Sequence, residues 1–395
     1  MLVVLLAISL AVMTVGAGPI SADTVKVGVI LPYSGPNAQL GQQLDRGMEL
    51  YRKHHSDASG GHQIELIKRD STGPKPDVAK RLAQELITRD KVNILAGVVY
   101  SNNALAIADL SRKAKIPFVI MNAGAAVITT KSPYIARVSF TMWQSAYPLG
   151  KYARDKMGIK TVAVAYANYA PGKDSKNAFV EAFTAAVGKV VADIPFPFPK
   201  IPDFTPFLQR IKDTKPDALY VFVPGGKWAT GLMKTYGALG MREAGIQLIG
   251  PGDLTQDSEL PNMGDVPLGL TTIHHYSAAA ERPENRQFVK AWKEAYGADS
   301  TPDYFGVQGW DGMAAVYAMV AKLGGKVDGP RAMAALKGWR YDSPRGPIMI
   351  DPETRDIVGN QYLRTVKKRD GNLANVEFET IEMVKDPWKE LHHKK

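Results

Sequence analysis

The chain has 395 residues, enough for two lobes of ordinary size and too many for one common core. Its composition, 45% hydrophobic and 22% charged, is that of a soluble globular protein. The absence of cysteine excludes disulfides, a cysteine nucleophile and thiolate metal sites, and the net charge of +10 is spread beside acids along the helices with no dense basic block, which points away from nucleic acid and toward an anionic solute.

Residues 1–22 carry no charged side chain and end in small residues, with possible cleavage points after Ala17 and Ala22. They are expected to be a secretory signal peptide cleaved after Ala22, with an uncleaved anchor as the alternative; the apolar run is short for a span. From Val25 a β-branched run gives a strand that breaks at Pro32, Gly35 and Pro36, and Leu40, Leu44, Met48 and Tyr51 then fall at helical spacing. Such a strand, loop and helix places Tyr33 and Ser34 at the carboxyl end of a sheet, where ligands bind in open α/β folds.

Further strands are expected at 63–69, 92–99 and 116–121, with helices at 77–89 and 104–113. The strand ends carry small or polar loops, Tyr100-Ser101-Asn102-Asn103 and Asn122-Ala123-Gly124-Ala125. An extended piece at 134–141 leads to Met142-Trp143-Gln144, and a helix over 146–157 opens a second series. Its strands are expected at 161–166, 218–223 and 246–250, ending at Asn168-Tyr169-Ala170-Pro171-Gly172, Pro224-Gly225-Gly226-Lys227-Trp228 and Pro251-Gly252-Asp253. A Pro-rich connector at 194–203 reads as a docked loop, and Thr205-Pro206 as a helix start. Later come an extended piece at 269–274, a helix near 285–296, a loop carrying Tyr304 and Phe305, a long helix at 307–323 and a β-rich tail at 347–384. Two βα series with a return late in the chain imply two similar lobes and several crossings.

No dinucleotide fingerprint, phosphate loop or serine-hydrolase elbow follows any strand. The seven histidines include three adjacent pairs, whose side chains are expected to diverge and so to hold no metal. No cofactor is implied, and the chain reads as a binder, not an enzyme; a secreted hydrolase is a remote alternative.

Ser34-Gly-Pro-Asn-Ala-Gln-Leu-Gly41, Gly97-Val-Val-Tyr-Ser101 with Ala104, and the stretch from Tyr304 to Asp311 resemble the type I periplasmic solute-binding proteins of ABC transporters, in the leucine/isoleucine/valine-binding branch. The resemblance covers nearly all of the chain after residue 22. It implies an α/β fold of two Rossmann-like lobes with parallel sheets and three hinge crossings, the first lobe at 23–143 and 274–354, the second at 144–273 and 355–395. It also implies a periplasmic monomer that closes on a small solute and delivers it to a membrane permease.

By position, the resemblance puts Leu40 where an aromatic often lines the site and Ser101 where a hydroxyl meets the ligand carboxylate. Asn122, Ala123 and Gly124 fall on a loop of backbone contacts, Phe305 on a wall, and Lys227 and Trp228 on the loop of the second lobe. Three positions depart from it: Gly124 replaces a hydroxyl, the acid that neutralises a ligand ammonium should fall near Gly252 with Asp253 one residue late, and Pro171 takes a tyrosine's place with Tyr169 two residues before. An unpaired buried ammonium is costly. With Tyr33, Tyr100, Trp143, Tyr169, Trp228, Tyr304 and Phe305 as candidate aromatic walls, beside Lys227 and the strand-end N–H groups, the expected ligand is an aromatic acid of the hydroxycinnamate or benzoate type. A branched-chain amino acid or amide, paired with Asp253, is the alternative.

Overall fold

Val25, Val27, Val29 and Ile30 are buried in β1 (Thr24–Leu31) because that strand lies inside a sheet, covered on both faces. The computed structural model describes residues 24–393, so the expected signal peptide lies outside the described residues. The first series continues with α1 (Ala38–His54), β2 (Gln63–Asp70), α2 (Pro76–Thr88), β3 (Ile94–Gly97), α3 (Ser101–Ala114), β4 (Phe118–Ile120) and β5 (Ile135–Arg137). Its five strands are parallel in the order β2-β1-β3-β4-β5.

The second series runs α4 (Met142–Asp155), β6 (Thr161–Ala167), α5 (Ala170–Ala185), β7 (Lys189–Phe196), α6 (Thr205–Asp213), β8 (Ala218–Phe222), α7 (Lys227–Ala238), β9 (Gln247–Pro251) and β10 (Thr271–His274). The chain then returns through α8 (Pro283–Tyr296), α9 (Tyr304–Leu323) and α10 (Gly329–Leu336). It finishes with β11 (Arg340–Ser343), β12 (Gly346–Ile350), β13 (Ile357–Arg369), β14 (Asn372–Val384) and α11 (Pro387–His392). The second sheet has nine strands, in the order β11-β12-β13-β10-β9-β8-β6-β7, with β14 beside β13. It is parallel from β7 to β10 and antiparallel beyond.

The returning helix α9 packs on α1, β3 and β4 of the first lobe. Glycines make that approach close: a Cβ on Gly47 would lie 1.9 Å from the Gly306 carbonyl oxygen, and one on Gly309 2.0 Å from that of Leu44. The return does not belong wholly to one lobe. The backbones of β11 and β12 extend the second sheet, while Ile348 and Ile350 pack into the first core.

Several expected boundaries move. The connector at 194–203 begins inside β7, an edge strand that tolerates Pro195 because its outer side needs no ladder donor. Met142, Trp143 and Gln144 belong to α4, which starts at a capping box between Thr141 and Gln144. The loop expected at Tyr304 and Phe305 is the first turn of α9, capped by the Asp303 carboxylate, which accepts from the Phe305 and Gly306 N–H groups. His274 and His275, expected to diverge, lie 4.2 Å apart because β10 ends at His274 and strand alternation stops there. Among the described residues no helix is long and apolar enough to cross a membrane.

Candidate functional site

Loops at the carboxyl ends of the two sheets meet, and polar contacts cross between the lobes. Gln39 Nε2 donates to Glu259 Oε1 at 2.5 Å, while Gln256 Nε2 and Ser258 Oγ donate to the Asp303 carboxylate at 2.5 and 2.6 Å. The Tyr304 hydroxyl donates to Asp253 Oδ1 at 3.1 Å. The Gly225-Gly226 turn fits against this seam only without side chains, since a Cβ on Gly225 would lie 2.7 Å from the Tyr304 hydroxyl and one on Gly226 2.8 Å from Gln39 Nε2. A Cβ on Gly226 would also lie 3.4 Å from Leu40, which places that buried side chain at the meeting of the lobes.

On the first lobe, α3 begins with no side-chain cap, so its first-turn N–H groups are free for an anion. The Tyr100 ring beside it is buried, and its hydroxyl, next to the Asn37 side chain, completes no hydrogen bond; burial raises its pKa. The Ser101 hydroxyl accepts from the Ala125 N–H at 3.1 Å, tying the loop after β4 to α3. In that loop Asn122 Nδ2 donates to the Val99 carbonyl at 2.9 Å, leaving Oδ1 without a partner, and the Ala123 carbonyl accepts from Arg137 at 3.0 Å. A side chain at Gly124 would meet Met142 Sδ at 3.3 Å, so the hydroxyl expected there from the resemblance has little room.

On the second lobe, Tyr169 precedes α5 and lies flat on Phe198, with centroids 4.1 Å apart. Burial and the charges of Asp253 and Tyr100 push its phenol pKa up, which sets these three groups in one neighbourhood. Asp253 is buried, its Oδ2 has no hydrogen-bond partner, and burial raises its carboxyl to about 7. Phe305 is buried beside Tyr304, with centroids 4.3 Å apart.

Other expected site residues stand elsewhere. The Tyr33 hydroxyl donates to Asp45, which also holds Lys68, and exposed Ser34 helps hold the Asp70 carboxylate. Trp143 packs on Tyr147 and His392 in the second lobe. Lys227 is exposed at the start of α7, and Trp228 is core between Phe198 and Phe204.

Arg364, in β13, gives no signal in the sequence. Its Nη2 would lie 2.0 Å from a Cβ on Gly252, so the guanidinium fills the space where the resemblance expects an acid. It donates to the carbonyls of Tyr276 and Gly252 and to the hydroxyls of Thr255 and Thr272, at 2.5 to 3.4 Å.

A family model described as periplasmic binding protein matches residues 24–372. The chain belongs to the periplasmic binding protein family. It is 48% identical to a solute-binding protein of an ABC transporter from Rhodopseudomonas palustris BisB5, solved with 3,4-dihydroxybenzoic acid. The TM-score is 0.89, over 93% of this chain and 99% of that one. A second solute-binding protein from R. palustris, solved with 4-hydroxybenzoate, is 41% identical with a TM-score of 0.89, over 94% and 100% of the two chains. A relative from Brucella melitensis biotype 1 named Leu/Ile/Val-binding protein homolog 6 is 42% identical over 380 residues, 96% of this chain and 97% of its own. Membership in this family of solute receptors implies an extracytoplasmic place of work.

Proposed function

We propose that the protein is a periplasmic receptor that closes on a small aromatic carboxylate of the benzoate or hydroxycinnamate type and, as a monomer without catalytic activity, presents it to a membrane ABC permease. One observation carries the choice of ligand: Arg364 occupies the space of a side chain at Gly252. A cation held there opposes a second cation, so the ammonium of an amino acid would be buried against a like charge. The carboxylate of an aromatic acid instead suits the uncapped start of α3, with the Tyr100 hydroxyl and Ser101 beside it. The rings of Tyr100, Tyr169 and Phe305 offer flat apolar surface for its ring, with Leu40 at the seam. Similarity to two receptors solved with hydroxylated benzoates supports the same reading.

A branched-chain amino acid is the second reading, favoured by the unpartnered oxygen of Asp253 and by the name of the Brucella relative. A thermal-shift series with benzoates, hydroxycinnamates and leucine separates the two. A ligand at ~100 times its Kd adds about 2.7 kcal/mol of apparent stability. The aromatic acids are expected to raise the melting temperature and leucine to leave it unchanged; the reverse pattern would refute the proposal.

A further inference from the structure

Asp253 has one oxygen used and one to spare. Oδ1 accepts the Tyr304 hydroxyl at 3.1 Å, which fixes the plane of the carboxylate between the lobes, while Oδ2 is buried without a donor. The nearby His274 Nε2, 3.8 Å from Oδ2, is likewise unpartnered, as is His274 Nδ1. This imidazole is enclosed by Phe140, His275 and Tyr304, at ring-centroid distances of 5.3, 4.2 and 4.5 Å. A buried acceptor left without a donor is destabilising, and native proteins leave few of them. The missing donor is therefore expected from a ligand.

The charge around the carboxylate selects the kind of donor. Arg364 stands against the same turn, with Nη1 and Nη2 engaged by carbonyls and threonine hydroxyls, Nε without a partner and Asp257 Oδ2 3.9 Å from Nη1, and its positive field acts on Asp253. An ammonium donor would meet that field as repulsion, whereas a neutral O–H group would not. Resting on the aromatic-acid reading above, we infer that Asp253 reads a ring hydroxyl of the ligand: Oδ2 accepts the phenolic O–H, Tyr304 positions the carboxylate, and His274 closes the pocket on the far side. The receptor is then specific for hydroxylated aromatic acids over the unsubstituted ring, because removing the hydroxyl leaves the buried oxygen unpaired again.

Calorimetric titration of the full chain with 4-hydroxybenzoate, benzoate and 4-fluorobenzoate tests this. The fluoro compound keeps a substituent at the same position but has no proton to donate. The wild-type protein is expected to bind 4-hydroxybenzoate at least about tenfold more tightly than either of the others, and Asp253→Leu to bring the three within about threefold. Equal binding of the hydroxy and fluoro compounds by the wild type, or an unaltered ratio in Asp253→Leu, would overturn the assignment. The wild-type series stands by itself if the variant does not fold. Binding of all three acids without preference would overturn this inference alone; failure of every aromatic acid to bind would overturn the aromatic-acid reading as well.

Discussion

At Gly252 a single hydrogen atom keeps a guanidinium in place. A methyl group there would lie 2.0 Å from Arg364 Nη2 and 2.6 Å from His274 Cβ, inside the range real contacts allow. Gly252→Ala is therefore expected to lower stability by about 1–3 kcal/mol in chemical denaturation, as overpacked sites do. Gly231→Ala, inside α7, where the added carbon would find only Phe204 at 3.4 Å, should instead raise stability by about 0.5–1 kcal/mol, the helix-propensity gain of Ala over Gly. The buried carboxyls set a second expectation at this scale. Burial raises Asp253 to about 7 and Asp174 and Asp303 to about 6, from an ordinary value of 3.8. The folded chain thus holds protons that the unfolded chain has released, so this contribution is complete below pH 4 and is lost as pH rises through 6 to 7. Without ligand, these carboxyls should lower stability as pH rises from 5 to 8, while His274 and His275, which burial holds neutral where the unfolded chain takes up protons, act in the opposite direction below about pH 6.5; the Asp253 part is isolated by Asp253→Asn, whose stability should fall less, or rise more, than that of the wild type over this interval. The same pH dependence in the wild type and in Asp253→Asn would contradict the burial of the Asp253 carboxyl.

The elements that matter most begin at the seam. Asp303 caps α9 and at the same time accepts from Gln256 and Ser258 across the lobes. Asp303→Ala removes a cap worth about 0.5–2 kcal/mol and leaves the Gln256 amide N–H without this acceptor. Expected outcomes are a lower melting temperature and weaker ligand binding together, measured by calorimetry. An unchanged affinity would show that the bridge takes no part in closure.

How much of this was legible in the sequence follows from the kind of signal each piece leaves. Buried valines in β1 and helical spacing from Leu40 to Tyr51 are local patterns, and they placed the βα units of both lobes. The cap at Asp303 had a local signal as well, an Asp directly before a helical stretch, yet Tyr304 and Phe305 read as loop. Strand β7 was hidden because Pro195 masks an edge strand as a linker. Tyr100, Ser101, Tyr169, Asp253 and Phe305 were legible as strand-end or helix-start residues, and they are the ones proposed here to line the site. Trp143 and Trp228 were not separable from core, since packing against Tyr147 or Phe204 depends on tertiary neighbours. Arg364 lies 112 residues from the carbonyl of Gly252 it holds, a pairing no local pattern carries.

Across the whole molecule, one group of contacts ties the segments that pass between the two sheets and another joins the lobes at the seam. Arg137, at the end of the first sheet, pairs with Asp356 at 2.9 Å, and Lys389 of α11 joins Asp356 to Asp386, which accepts the Thr141 hydroxyl at 3.0 Å. These buried charges tie the end of β5, the start of α4, the start of β13 and α11 to one another. The Gln39–Glu259, Gln256–Asp303 and Tyr304–Asp253 bonds lie instead where the lobes face each other, and a ligand touching both lobes favours the state in which they form. An aromatic carboxylate, and not an amino acid, is expected to drive this closure. Direct calorimetric titration of the ligand-free protein with 4-hydroxybenzoate and with leucine tests it: saturable one-to-one binding of 4-hydroxybenzoate and no heat of binding with leucine is the expected result, and saturable binding of leucine with none of 4-hydroxybenzoate would contradict it.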